Sequence, residues 1–461
     1  GDHQVGASKV KWTAFLSEAT RPEVRDSVRF DRNGFQWAYD RPDILRPDYR
    51  TIGGPDAFTM PTRGAIDYFI NPSSSNIVRS FRETKENVWQ TKLDFSTPLP
   101  ETTGVKGSFK TGVKLRSMDR EHDRNFRNYA LTSNATFDFA SYTKPSDYTV
   151  SDFRMGFIPD TARILSEASS GNAAYRRDTA NARLAQNLAS DYAATESSYE
   201  GYAMGVVDVG PKLRLISGVR VEHTQFEADT PVYDATAAPA TDRSSRFESR
   251  KTDYTQLLPG FHLRYEARNN IIARAAYTRT YARPSFQELI AATTFDEVNN
   301  VITTGNPDLK PYESENWDFS LEYFGKKASY FQLAFFSKKA EGQVLSLESA
   351  IESGTASFRG LPLDPQDNYT LQTFSNQHNS SNKGIEFAGR YRFITLPAPM
   401  DGLYLDGSVT WTDSHGNFSD RPGEDLRTYG GSQWLYFIGL GYQKDRLSML
   451  LSYRYRSTYP E

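Results

Sequence analysis

The sequence predicts an all-β protein: a segment of an antiparallel transmembrane β-barrel, with about fourteen strands and long extracellular loops. Three observations predict it. Apolar and polar residues alternate with a period of two over strand-length runs. No run of about 18 to 20 uncharged apolar residues occurs, which excludes a transmembrane helix but not a spanning strand, for which about 9 to 11 residues suffice. The connections between runs are alternately short and long, as in a chain that passes up and down through an outer membrane.

The alternation is clearest in 446–456, where Leu447, Met449, Leu451, Tyr453 and Tyr455 share one face and Ser448, Leu450, Ser452, Arg454 and Arg456 the other. In 403–412, Leu403, Leu405, Val409 and Trp411 oppose Asp406, Ser408, Thr410 and Thr412. In 385–393, Ile385, Phe387, Tyr391 and Phe393 oppose Glu386, Arg390 and Arg392. Trp317, Phe319, Leu321 and Tyr323 oppose Asp318, Ser320 and Glu322, and Trp89, Leu93 and Phe95 oppose Gln90, Lys92 and Asp94. The oily faces begin or end in aromatics, the pattern of a membrane girdle.

A soluble sandwich also alternates, so the connections decide between the two. Short ones are Pro98–Gly104, Val209–Lys212, Ala267–Asn270, Gly325–Lys327 and Gln443–Arg446; long polar ones are about 40–86, 119–196, 228–250, 282–312, 342–377 and 414–430. Loops longer than about 15 residues are uncommon in compact domains. Within the second long stretch, 179–194 reads as a short amphipathic helix. Arg214, Arg220, Glu222, Arg390, Arg392 and Arg454 fall on polar faces; an Arg or Lys facing lipid at the midplane costs about 2 to 4 kcal/mol, so these charges imply a polar lumen.

Composition narrows the function. The 461 residues hold 38% apolar and 13% aromatic residues, with 27 Tyr and 29 Phe, yet the mean hydropathy is −0.63, so aromatic strands occur without a large oily interior. A net charge of −3 gives no basic field for nucleic acid. The absence of cysteine excludes disulfides, thiolate metal sites and a Cys nucleophile. The six histidines are scattered, and neither a nucleophile elbow nor a phosphate-binding loop is present, so the chain has no carrier for enzymatic chemistry and calls for no cofactor. Asp413–Asp420, with Glu424 and Asp425, offers oxygen ligands but lacks the spacing of a calcium loop, and reads as a solvated external loop without metal.

The stretch from Tyr254 to Tyr323 resembles the TonB-dependent outer-membrane receptors of Gram-negative bacteria. YTQLLPGFHLRYE (254–266), IIARAAYTRTYARPSFQEL (271–289) and GNPDLKPYESENWDFSLEYF (305–324) stand in the family's order. The most specific piece is Asn306-Pro307-Asp308-Leu309-Lys310-Pro311 followed by Glu313, which joins a loop's turn chemistry to a barrel strand in one register. LISGVRVEHT (215–224) and NKGIEFAGRYRF (382–393) look like further barrel strands of the family. WTAFLSEATRPE (12–23) and TESSYEGYAMG (195–205) look most like the Xanthomonas-type and Caulobacter-type branch, which is often linked to carbohydrate uptake.

The resemblance implies a 22-stranded barrel closed around an N-terminal plug. It implies TonB as a partner acting through the plug and its TonB box, with outer-membrane lipid and lipopolysaccharide around the wall. The ligand is a scarce nutrient such as an oligosaccharide, or alternatively a siderophore or other iron chelate. Plug and TonB box are not seen before Gly1 and no closing aromatic strand follows Tyr455, so residues 1–461 are read as a receptor barrel domain truncated at both ends. Stacking of sugars on aromatics makes Trp37, Tyr39, Tyr129, Tyr142, Phe153 and Tyr369 the loop candidates for ligand contact. The rival readings are a passive porin, a barrel enzyme, and a soluble adhesin or carbohydrate-binding module.

Overall fold

In the computed structural model, the residues described are 1–28, 36–43, 46–53, 77–132, 142–145, 149–150, 153–154, 157–178, 190–233, 245–296, 300–359, 361–417, 424, 426–427 and 431–459. Fourteen strands form one wall. They are β1 (Asp2–Val5), β2 (Ser8–Val28), β3 (Ile77–Pro98), β4 (Lys106–Leu131), β5 (Tyr192–Val209), β6 (Leu213–Tyr233) and β7 (Ser245–Arg268). The remainder are β8 (Ile271–Ala282), β9 (Tyr312–Phe324), β10 (Tyr330–Ala350), β11 (Thr370–Arg392), β12 (Leu403–Asn417), β13 (Trp434–Lys444) and β14 (Leu447–Arg456). Each pairs antiparallel with the next. The wall is therefore an unbroken meander, the architecture expected from the alternation.

At one end the strands join through tight turns, where Gly210 and Asp445 take up left-handed backbone conformations at φ 62° and 53°. Gly and Asp are residues that tolerate this region. At the other end the chain makes its long excursions, so the short and long connections fall on opposite rims.

The strands are longer than the apolar pattern indicates. β4 continues to Leu131, β3 begins at Ile77, β6 and β7 reach Tyr233 and Ser245, and β10 and β11 reach Ala350 and Thr370, all inside stretches expected to be loop. At about 3.3 Å per residue and a tilt near 40°, the 26 residues of β4 rise roughly 65 Å, far more than the lipid band of about 25 Å. Above the band both faces of the wall are wet, so the ladder of backbone hydrogen bonds persists while the apolar alternation that reveals it in sequence disappears.

The outer face is apolar and unburied. Trp317, Phe319, Leu321 and Tyr323 of β9, Leu447, Met449, Leu451, Tyr453 and Tyr455 of β14, and Trp89, Leu93 and Phe95 of β3 are all exposed. Aromatic rings pair across strands on this face, as Tyr277 does with Trp317 and Tyr436 with Tyr455, both at 4.6 Å between centroids. The eight residue steps from Leu447 to Tyr455 span about 26 Å along the strand, or about 20 Å along the barrel axis, close to the height of a lipid band. A face of this size and hydrophobicity is stable in contact with acyl chains.

Apolar burial lies on the opposite rim. α1 (Thr161–Ser169) has Asp160 as its N-cap, accepting from the Arg163 N–H, and it buries Ile164, Leu165 and Ala168. Of the helix expected over 179–194, residues 179–189 lie outside the described residues, and 192–194 begin β5 instead. There the alternation of TESSYEGYAMG dominates and the chain joins the sheet through both neighbours.

Candidate functional site

The inner face of β4, β5 and β6 carries a lattice of opposite charges. The pleat directs Glu196, Ser198, Glu200 and Tyr202 of β5 inward between Lys114 and Arg116 of β4 and Arg220, Glu222 and Thr224 of β6. Lys114 Nζ lies 2.9 Å from Glu200, Arg116 Nη1 lies 3.0 Å from Glu196, and Arg220 closes on the second oxygen of Glu200. Lower on the wall, Tyr202 Oη donates to Asp94 at 2.6 Å, Lys92 Nζ lies 2.8 Å from the same carboxylate, and Arg220 stacks over the Tyr202 ring. Glu196, Glu200 and Glu222 are buried, and Glu200 stands directly across the strands from Glu222. Near-buried like charges require interleaved cations, because an uncompensated carboxylate there loses several kcal/mol of hydration.

One of those cations comes from a loop. Arg283, just past β8, places Nη1 2.7 Å from Glu196 and Nη2 against Glu222, and Tyr281 Oη donates to Glu222 as well. The chain then turns inward. Ser285 and Glu288 form a capping box that starts the single-turn helix α2 (Phe286–Leu289). Phe286 sits edge-on to Phe226 at 5.2 Å and beneath the Arg120 guanidinium at 4.6 Å. Met118, Ala194, Ala228, Leu289, Ile290 and Leu309 complete the buried cluster.

The returning limb crosses to the far side of the wall. Thr293–Asp296 and Val301–Thr304 form a small hairpin, and Val301–Thr303 pairs parallel with Thr370–Gln372 of β11. Gly305 lies so close to Ile290 that a Cβ would overlap the Ile290 carbonyl oxygen, which makes glycine the residue that fits. The sequence motif 306–311 is the fastening of this limb. Asn306 Nδ2 donates to the Phe374 carbonyl at 2.8 Å, and its Oδ1 accepts from the Asp308 N–H at 2.9 Å. Leu309 is buried, and the Lys310 N–H and carbonyl are both gripped by Asn376, at 2.7 and 2.9 Å. Pro307 and Pro311 bracket this turn, and Glu313 accepts from Gln256 Nε2 at 2.9 Å and pairs with Arg279.

The other inward charges find partners too. Arg214 pairs with Asp208 at 2.6 Å, Arg390 with Asp406 at 2.5 Å, Arg392 donates to Gln443 at 3.1 Å, and Arg454 lies over Phe437. A cavity of about 740 Å³ on the lower inner wall is lined by Arg214, His262, Arg264, Arg274, Asp318 and Lys338 among others.

The three described loop aromatics each pack in surroundings of their own. Tyr129 is buried at the top of β4, cross-strand from Ile77. Tyr142 donates to Glu167 of α1 and lies under Arg163. Tyr369 is buried with Ile302 and Leu363, its Oη accepting from the Asp364 N–H at 3.0 Å. The side chains of Trp37, Tyr39 and Phe153 lie outside the described residues. Asp413 and His415, expected in a loop, belong to β12, where Asp413 contacts Lys383 at 3.2 Å and His415 at 2.6 Å. Among the described residues no three His, Asp or Glu side chains form a metal-binding group.

Above the lipid band, where the chain rejoins the wall at β5, Asp191 accepts from the Arg124 N–H at 2.8 Å. Burial pushes its carboxyl pKa up to about 7, against the opposing effect of that hydrogen bond.

A sequence-family profile described as "TonB dependent receptor-like, beta-barrel" matches residues 17–461. No curated protein sequence matches the chain. Solved structures do. The ferric-catecholate import receptor Fiu from E. coli K12 is 12% identical with a TM-score of 0.44, over 96% of this chain and 53% of its own. The alcaligin outer-membrane receptor FauA from Bordetella pertussis is 12% identical with a TM-score of 0.40, over 98% and 57%. The ferric yersiniabactin uptake receptor FyuA from Yersinia pestis is 11% identical with a TM-score of 0.45, over 98% and 47%. The chain spans about half the length of these structures.

Proposed function

The chain belongs to the TonB-dependent receptor-like β-barrel family, whose members are outer-membrane transporters, and on that premise we propose that it is the wall of a receptor for TonB-driven uptake of a scarce nutrient. The observation that carries the reading is the division of one meander into an exposed apolar outer face and an ion-paired inner face. A wall of this kind performs no bond chemistry. It holds a polar passage open across lipid, while loops and a plug select the ligand and TonB supplies the pull.

The nutrient we propose is a neutral, hydroxyl-rich one of the oligosaccharide class. The sequence supports this through 12–23 and 195–205, which resemble the branch linked to carbohydrate uptake. The inner lattice is compatible with it, since Lys114, Arg116, Arg220 and Arg283 each pair with one of Glu196, Glu200 and Glu222, which leaves an excess of only one positive charge for an anionic ligand. An iron chelate is the second reading, for which the lower cavity offers Lys338 beside Arg214, Arg264 and Arg274, the three arginines each paired with a carboxylate. Growth and uptake of a deletion strain on a panel of oligosaccharides and ferric chelates separates the two. Loss confined to one or a few sugars is the expected result; undiminished uptake of every sugar refutes the carbohydrate reading, and loss of a ferric chelate alone establishes the second.

A further inference from the structure

We propose that the limbs Arg283–Asp296 and Asn300–Pro311 form a permanently docked strut inside the barrel, which fixes the width of its outer mouth, and that Arg283 pins it in place. The strut is fastened at both ends to different parts of the wall. On one side Phe286, Leu289 and Ile290 are buried against Met118 of β4, Ala194 of β5 and Phe226 and Ala228 of β6. On the other, Val344 and Phe374 pack against the same buried cluster, the Asn306 and Asn376 hydrogen bonds tie it to β11, and the parallel pairing at 301–303 extends the sheet onto it.

The wall itself feeds into the strut. β7 and β8 stay paired only up to Gly260 and Thr278, whereas β8 and β9 remain paired to Ala282 and Tyr312. Above that fork, Tyr281 reaches Glu222 on the inner face of β6, and Glu313, itself paired with Arg279, reaches Gln256 on β7. The top of the β8–β9 pair thus leans into the lumen and delivers the strut there as a continuation of two wall strands.

A hinged lid keeps few buried apolar contacts and opens at low free energy. Here Leu289, Ile290, Ile302 and Leu309 are at most 2% exposed, and Gly305 brings the two limbs into backbone contact. Arg283 holds the near end because Glu196 and Glu222 come from adjacent strands and carry like charges. Its guanidinium bridges them, and without it Glu222 keeps the Tyr281 hydroxyl as its described partner while Glu196 keeps Arg116. The exposed side chains of the strut, among them Ser285, Gln287, Thr294, Asp308 and Lys310, are polar and give the mouth a hydrogen-bonding edge.

These 461 residues contain no cysteine, so a cysteine pair placed in them reports on docking once any cysteine elsewhere in the complete protein is replaced by serine. Thr303 and Gln372 face each other across the parallel pairing, with 3.3 Å between Thr303 Oγ1 and Gln372 Oε1. The complete protein carrying Thr303→Cys and Gln372→Cys is placed in the outer membrane of Gram-negative cells, and its folding is checked by heat-modifiable gel mobility. Mild oxidation is expected to cross-link the pair to similar yield in energised cells and in cells treated with a protonophore. The cross-linked protein is expected to keep at least half of its uptake of any panel solute the unsubstituted protein takes. A several-fold fall in yield on energisation, or loss of uptake restored by a reductant, overturns the proposal and makes the segment a moving gate.

For the pin, Leu309→Cys is expected to react with a membrane-impermeant maleimide at least tenfold faster when Arg283→Gln is present, and Arg283→Lys is expected to restore part of the protection. Equal rates overturn the role of Arg283. The cross-linking and labelling arms require no ligand, so they stand or fall separately from the uptake reading.

Discussion

Leu321 and its neighbour Ser320 put the two faces of the wall to a direct test. Leu321 sits on the outer face of β9 between Phe319 and Tyr323, half exposed, with Ala273 and Leu333 across the strands. That places it near the middle of the apolar belt, where an arginine facing lipid costs about 2 to 4 kcal/mol. Leu321→Arg is therefore expected to lower the folded-to-unfolded ratio by about 30- to 700-fold, since each 1.4 kcal/mol is a factor of ten. Ser320 points into the lower cavity and donates to Glu322 at 3.4 Å, so Ser320→Arg meets water and carboxylates and is expected to cost less than about 1 kcal/mol. Both variants are measured by denaturant unfolding of the complete protein in lipid vesicles, scored by heat-modifiable mobility. If Leu321→Arg is tolerated as well as Ser320→Arg, the exposed apolar face is not a lipid face and the membrane reading fails.

Three further outcomes follow from the loop end. Phe286→Ala removes a buried ring packed on Phe226 and Arg120, and is expected to cost about 3 to 5 kcal/mol locally, read as proteolytic cleavage within Arg283–Asp296 while the wall stays intact. Gly305→Ala forces a Cβ into the Ile290 carbonyl and is expected to cost about 1 to 3 kcal/mol by the same assay, with no change expected for Gly210→Asn in its open turn. Asp191 has a folded pKa of about 7 against roughly 3.9 unfolded, so its protonated, buried state stabilises the folded protein below about pH 4, and that contribution is lost as pH rises towards 7. Exchange at the Arg124 amide, corrected for intrinsic rate, is expected to quicken over that window, by up to about 4 kcal/mol in local stability, and Asp191→Asn is expected to flatten the profile; a parallel profile in the variant refutes the assignment.

The sequence reveals the wall where lipid imposes contrast between its faces. Leu447–Arg456 is legible because every outward residue from Leu447 to Tyr455 is apolar. Residues 119–131 of β4 are not, although the strand is continuous: Asp119, Glu121 and Asp123 alternate with Arg120, His122 and Arg124, and both faces are polar. The period remains while its amplitude vanishes. The inner lattice is half legible, since alternation places Arg220 and Glu222 on the polar face, but the partners depend on strands far apart in the chain. Arg283 lies 87 residues from Glu196 and 61 from Glu222, and nothing local marks it. The motif 306–311 is visible as a resemblance, while its physical role as a fastening emerges only from Phe374 and Asn376, residues with no motif of their own.

The pairing of inner charges has a consequence for where specificity resides. A passage lined by unmatched cations would attract anions along its whole length, because a low-dielectric wall focuses the field of each charge. In this wall Lys114, Arg116, Arg220 and Arg283 interleave with Glu196, Glu200 and Glu222, so all but one of the positive charges are balanced within a few ångströms and the field reaching the lumen at that level is much reduced. Discrimination then falls to shape and hydrogen bonding at the mouth, where a fixed strut gives a more selective edge than a mobile loop, because no binding energy is consumed in ordering it. The same Arg283 that bridges two wall carboxylates also holds the strut, so charge balance of the wall and geometry of the mouth are coupled through one side chain. Substitutions at Glu196 or Glu222 are therefore expected to alter ligand range without touching ligand, which distinguishes this arrangement from one in which the lattice itself binds the nutrient.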